Sequence, residues 1–143
     1  MPAISPQTRA GLLEFVSLVN QGVMNPLDIP SVFAELSTLQ RTLELLAADP
    51  LIDITILHVF AEFFPKIWGW RMAELRECIS NVTQKGGKPI VLAVTDEGKT
   101  DAPEKHVREL VGAGIPAYTS LRGACRALIR FASYHGFVAQ SGT

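Results

Sequence analysis

Between Lys88 and Gly98, six consecutive apolar or small residues, Pro89 to Val94, stand between Gly86-Gly87 and Asp96-Glu97-Gly98. The run is too short for a helix and lacks the alternation of a half-wet strand. It reads as a strand covered on both faces, the mark of a parallel sheet sandwiched by helices. A second run, Ile54 to Phe60, is rich in β-branched residues and bounded by turns. A third, Ile115-Pro116-Ala117-Tyr118, is short and belongs near a sheet edge, because proline cannot donate to a ladder.

Helical periodicity fills the intervals. Ser5-Pro6 opens a first helix with the stripe Leu12, Phe15, Val16 and Val19, ending near Gly22. Met24 to Pro30, with two prolines around an acid, is a loop or short extended segment. Ser31 caps a second helix to about Ala48, on the stripe Val32, Leu36, Leu39, Leu43 and Leu46, and Asp49-Pro50 ends it. A third runs from Pro65 to about Lys85 on Trp68, Met72, Leu75, Ile79 and Val82. A fourth, capped by Thr100 or Asp101, turns Val107, Leu110 and Val111 inward and closes at Gly112 and Gly114. Ser120 caps the last, on Leu121, Cys125, Leu128 and Ala132, with a tail that frays after Tyr134.

This alternation predicts an α/β fold, a flavodoxin-like three-layer α/β/α arrangement around a parallel sheet. It forms one domain over 1–143, with an irregular helix and loop over 1–30 and the α/β core over 31–135. Only three strong strands are visible, where sheets of this class usually carry about five. Either the Gly22–Ile29 region supplies a weak strand, or strands that belong beside Ile54–Phe60 are absent from the chain; the second reading is preferred.

Composition narrows the function more than the fold. The chain has 143 residues, 48% hydrophobic and 19% charged, as expected for a globular protein with a generous core. A net charge of -1 gives no long-range pull toward nucleic acid or anionic lipid. Cys78 and Cys125 have no second Cys or His at ligand spacing and read as buried, reduced thiols, with no metal site. No secretory leader is visible, and Ile54–Phe64 is too short to span a bilayer, so the expected compartment is the cytoplasm.

An ordered set of segments carries a resemblance. It runs from Asn25-Pro26-Leu27-Asp28 through Leu45-Leu46-Ala47-Ala48-Asp49-Pro50 and Ile52-Asp53-Ile54-Thr55-Ile56-Leu57-His58-Val59. It continues with Gly87-Lys88-Pro89-Ile90-Val91-Leu92-Ala93-Val94, Gly114-Ile115-Pro116-Ala117-Tyr118-Thr119-Ser120 and the Ala124–Tyr134 helix. Together these resemble the succinyl-CoA-ligase-like flavodoxin domain of the NDP-forming acyl-CoA synthetases, from Ser5 onward. The resemblance implies a 2-1-3-4-5 sheet whose first two strands are missing here, leaving the edge of Ile54–Phe60 to be covered by another chain, a second copy or a rearranged N-terminal segment. The family joins a carboxylic acid to CoA with an NTP, and passes the phosphoryl group through a histidine in a neighbouring domain. CoA, ATP or ADP and Mg are therefore expected on CoA-binding and ATP-grasp domains or subunits, with none held by this chain. By itself the chain is expected to be inactive. A non-catalytic assembly module related to these enzymes is the alternative.

Candidate chemistry is sparse. None of His58, His106 and His135 sits in a Gly-rich turn, so none inherits the phosphohistidine role. His58 reads as a hydrogen-bonded core or sheet-end residue, His106 as a solvated helix residue and His135 as part of the tail. The family directs a helix N-terminus at the phosphorylated histidine, approached through glycines. The matching stretch here, Ala61-Glu62-Phe63-Phe64-Pro65 before Lys66, is bulky and acidic. Asn25 and Asp28 are the best candidates for a substrate or phosphate approach, as an amide and a carboxylate on one loop. Thr95 and Asp96, with Lys99, are weaker ones, placed where ligands gather at the carboxyl ends of strands. Arg122, Arg126 and Arg130 step by four along the last helix as an interface candidate, and Trp70 is another, since Trp68 and Trp70 point about 200° apart. Nucleic acid and membrane are not expected partners. A phosphoreceiver lacks its acids, and flavin binding lacks a phosphate-cradling loop.

Overall fold

Thr55–Phe60 forms strand β1 and Ile90–Thr95 forms strand β2 in a computed structural model that describes residues 3–17, 19, 21–62, 72–85, 87–96 and 102–141. Ile90 to Val94 are all buried, as a centrally placed apolar run requires. Ala117–Tyr118 is β3, and the sheet order is β1-β2-β3. β2 pairs with β3 in parallel, with Leu92 opposite Ala117. Thr55 donates to the Pro89 carbonyl at one end of β1 and Ala61 to the Thr95 carbonyl at the other, so β1 also runs parallel to β2. The fold is the expected flavodoxin-like α/β arrangement, a three-stranded parallel sheet flanked by helices.

Two compact units make up the chain, Met1–Thr55 with Glu62–Ile90, and Ile56–Ala61 with Val91–Thr143. In the first, helix α1 (Pro6–Leu13) starts on Ser5, whose hydroxyl accepts the Thr8 N–H at 3.1 Å, with Pro6 at the first helical position. It is shorter than its apolar stripe predicts. The N–H groups of Phe15 and Val16 both return to the Leu12 carbonyl, and Val19 donates to the Ser17 hydroxyl at 3.3 Å, a local bond that competes with helix.

The second predicted helix is divided. Pro30–Phe33 is a 3₁₀ turn, and α2 (Leu36–Ala48) begins only after Glu35, which is extended at φ -133° and ψ 131°. Ser31 is therefore not its cap; its hydroxyl donates to the Gln21 side chain at 2.5 Å. Helix α3 (Met72–Gln84) buries Met72, Leu75, Cys78, Ile79 and Val82 and packs on α2, which also receives α1. The proposed start of this helix at Pro65, with Trp68 and Trp70, lies outside the described residues. Gly22–Ile29 supplies no sheet strand, only an isolated antiparallel bridge between Gly22 and Asp28.

In the second unit, α4 (Ala102–Gly112) buries Leu110, but Val111 is exposed, so the inward face is narrower than predicted. Its end is set by Gly114 at φ 80°. Gly114 N–H returns to the Val111 carbonyl and Ile115 N–H to the Leu110 carbonyl, the paired bonds of a Schellman ending. Helix α5 (Leu121–Ser141) is capped by Ser120, whose hydroxyl accepts the Gly123 N–H at 3.0 Å. It packs on β3 through a face different from the one its sequence predicts, with Ala124 fully buried while Leu121 and Ala132 are exposed. Beyond Tyr134 the chain does not fray; it stays helical to Ser141.

Candidate functional site

β1 and β2 end level with each other, because the parallel ladder closes on Ala61 N–H to Thr95 O at 2.8 Å. That register brings two side chains from different strands together. His58 Nε2 lies 2.9 Å from Thr95 Oγ1, and the His58 ring tilts against Phe60 with centroids 4.9 Å apart. His58 is exposed at its outer surface, yet burial of the ring lowers its pKa below the ordinary histidine value. The neutral imidazole is thus favoured near pH 7. In one tautomer Nε2 accepts the Thr95 hydroxyl; in the other it donates to it. Asp96, half-buried, follows directly.

This arrangement offers a neutral ring nitrogen and a hydroxyl at the carboxyl end of a parallel sheet, where α/β folds gather ligands. Among the described residues no carboxylate is hydrogen-bonded to His58. The pair is suited to binding and orienting a polar ligand. Reading Thr95 with Asp96 and Lys99 misses His58 as its partner. The signal was available in the parallel pairing itself, which places the ends of both greasy runs side by side. Lys99 lies outside the described residues.

The Asn25–Asp28 loop belongs to the other unit. Gly22 and Asp28 exchange both backbone bonds, at 2.9 and 3.0 Å, and so pinch the loop closed; the Asn25–Pro26 peptide within it is cis. Asn25 is half-buried and Asp28 exposed. Main-chain bonds therefore order this loop, and the Asp28 side chain is presented to solvent. In the bulky, acidic stretch that follows β1, Ala61 is buried and Glu62 half-buried; Phe63 to Lys66 lie outside the described residues.

The remaining candidates separate. His106 is half-buried, not solvated, with Nδ1 3.6 Å from a Glu109 carboxylate oxygen. His135 lies on α5 against Phe131 and Tyr134, with centroids 4.4 and 5.6 Å away. Arg122, Arg126 and Arg130 are exposed on α5, and among the described residues none forms an ion pair. Cys78 is buried as expected, and that burial, followed by the Glu44 charge, pushes its thiol up to about 11, where it is inert; Cys125 is only half-buried. No group of three His, Cys, Asp or Glu among the described residues could hold a metal ion, and no described helix is long and apolar enough to cross a membrane.

Sequence reasoning missed the most tightly held acid. Asp49, only 1% exposed, accepts the N–H groups of Ser5 and Leu51, each at 2.8 Å, while its backbone carbonyl receives the Lys88 ammonium. Burial works against its charge, but the Leu51 and Ser5 donors prevail and hold the carboxyl below its ordinary value. Its partners are structural, and it faces no other candidate.

No protein-family model matches the chain, and no curated protein matches it. Among solved structures, PH0766 from Pyrococcus horikoshii OT3 is similar with a TM-score of 0.65 and 24% identity, over 84% of this chain and 26% of that one. The apo form of a dinucleotide-forming acetyl-coenzyme A synthetase 1 from Ca. Korarchaeum cryptofilum is similar with a TM-score of 0.70 and 16% identity, over 97% of this chain and 30% of that one. The chain thus spans between a quarter and a third of the solved proteins whose fold it shares.

Proposed function

We propose that the chain is a flavodoxin-like domain of an acyl-CoA-synthetase-related protein, a ligase joining a carboxylic acid to CoA with cleavage of an NTP to NDP and phosphate. It shapes the active site and does not turn over alone. The observation that carries this reading is the extent of the structural overlap, 97% of the chain on 30% of an acetyl-CoA synthetase. The ordered sequence segments point the same way. CoA, nucleotide and Mg are then held by CoA-binding and ATP-grasp domains or subunits, and this chain contributes polar groups at the approach. Those groups are Asn25 and Asp28 on one unit, and Thr95 and Asp96, with His58, on the other. Among the described residues no strand pairs with β1 on the side away from β2, which leaves that edge for the remaining strands of a larger sheet or for another copy.

One observation favours the alternative, a non-catalytic assembly module. Ala61 and Glu62 follow β1 where the family has glycines, and a carboxylate repels an approaching phosphate. A chimera separates the two readings. The matching segment of the Ca. Korarchaeum synthetase is replaced by this chain, and acetyl-CoA formation is measured for the chimera and for the chain alone. The ligase reading expects turnover by the chimera and none by the chain. A folded, soluble chimera without turnover selects the assembly module, and turnover by the chain alone discards both.

A further inference from the structure

The parallel ladder decides which side chain His58 can reach. Thr55 N–H bonds to the Pro89 carbonyl and Ala61 N–H to the Thr95 carbonyl, so β1 and β2 keep one register from end to end. In a parallel pair that register sets Ala93 opposite His58, with Thr95 one same-face step further along β2. Ala93 is buried and carries only a methyl group, which leaves the imidazole room to lean along the strand. The ring therefore arrives at Thr95, with Nε2 2.9 Å from Oγ1. His58, Ala93 and Thr95 all belong to the second unit.

A hydroxyl within hydrogen-bond reach of a neutral imidazole is the pairing of a nucleophile with its base. A threonine hydroxyl is weakly nucleophilic until its proton begins to leave. When Nδ1 carries the ring proton, Nε2 accepts the Thr95 O–H and stands where it can take that proton. Desolvation lowers the His58 pKa, so the basic form is the one present at neutral pH. The ring is exposed at its outer surface and Thr95 is half-buried, which leaves a reagent a way in.

The surroundings choose the electrophile. Ile56 and Phe60, both half-buried, alternate onto the same side of β1 as His58, and the Phe60 ring lies against the imidazole. That flank is apolar. Glu62 follows two residues on, and a neutral ring adds no positive charge, so an anionic phosphoryl donor is disfavoured beside an uncharged acyl group.

We propose that Thr95 is an acyl acceptor, with His58 as its general base, toward small uncharged activated esters. Oγ1 attacks the ester carbonyl as its proton passes to Nε2, and the bond between the acyl carbon and the leaving oxygen breaks. The leaving oxygen takes the proton back from the imidazolium and departs as the free alcohol or phenol. One acyl group remains on Thr95, the ring is neutral again, and no further co-reactant is consumed. The reaction needs neither CoA nor nucleotide, so its failure and the failure of the ligase reading are separate results.

The full chain is incubated with p-nitrophenyl acetate at neutral pH; release of p-nitrophenolate gives the rate, and tandem mass spectrometry of the digested chain locates the acetyl group. Acetylation of Thr95 is expected. His58→Gln still offers the Thr95 hydroxyl an acceptor oxygen but has no basic nitrogen, and it should acetylate Thr95 more slowly by on the order of a hundredfold. Thr95→Ser keeps a hydroxyl and should take the acetyl group at Ser, whereas Thr95→Val should lose the His58-dependent part of the release. Circular dichroism checks that each variant is folded. Acetyl groups confined to His58, Cys125 or lysines overturn the proposal. So does Thr95 acetylation at the wild-type rate in His58→Gln, which would make the hydrogen bond purely structural.

Discussion

Asp49 lies at the junction of three segments: it ends α2, its carboxylate receives the N–H of Ser5 at the head of α1, and its carbonyl receives Lys88 from the approach to β2. An ionised carboxylate this deeply buried is tolerable only because N–H donors replace its lost water. Asp49→Ala leaves the Ser5 and Leu51 N–H groups without that acceptor and is expected to cost about 2–3 kcal/mol. Asp49→Asn keeps one acceptor oxygen and costs less. The pH dependence follows from the direction of the shift. The folded pKa lies below the unfolded value of about 3.9, so the contribution is complete above that value and lost as pH falls through the folded pKa. Glu44, also lowered by bonds from Gln40 and Lys85, acts on the same acid limb from a more exposed position. Urea midpoints measured against pH for wild type and Asp49→Asn isolate the difference: the variant should show a shallower decline below pH ~4. Identical acid limbs would remove Asp49 from this role.

The elements differ in how openly the sequence announces them. β2 is legible because a strand buried on both faces cannot contain a polar residue, and Pro89 to Val94 contains none. α3 is legible for the complementary reason, since Met72, Leu75, Ile79 and Val82 lie on one face. The inward face of α5 was not. Bulk points to Leu121 and Leu128, but the helix sets the smaller Ala124 inward, and periodicity counts apolar residues without weighing how near two elements come. The closing of α4 also had two candidates, Gly112 and Gly114, and only the geometry separates them. Gly114 sits at φ 80°, where an L side chain is strained; Gly112 is within the helix, and a Cβ there would meet nothing within 4 Å. Gly114→Ala is therefore expected to destabilise by about 1 kcal/mol, and Gly112→Ala to stabilise by about half that through helix propensity. Thermal midpoints of the two variants should move in opposite directions; a shift of the same sign in both would put the ending elsewhere.

At the scale of the whole chain the two halves of the candidate set lie in different units, Asn25 and Asp28 in one, His58, Thr95 and Asp96 in the other. This division leaves no mark in composition, because the chain crosses between units inside its most regular segments. β1 begins with Thr55 in the first unit and continues from Ile56 to Phe60 in the second; β2 begins with Ile90 in the first and continues from Val91 in the second. A flexible linker announces itself by Pro, Gly or Ser, whereas a strand that serves two units does not. The same covalent arrangement predicts cooperative unfolding. The ladder from Thr55–Pro89 to Ala61–Thr95 is one hydrogen-bonded element, and losing either end strips β1 of bonds that hold the other. A chain of this length with shared strands should therefore unfold in a single transition. Pulsed amide hydrogen exchange reports on the two units separately, through Leu39 and Leu75 in the first and Leu92 and Leu110 in the second. In urea the two signals should share one midpoint and one slope, and far-ultraviolet circular dichroism should follow both. Separate midpoints would show that the shared strands do not couple the unfolding of the two units, and would overturn the prediction.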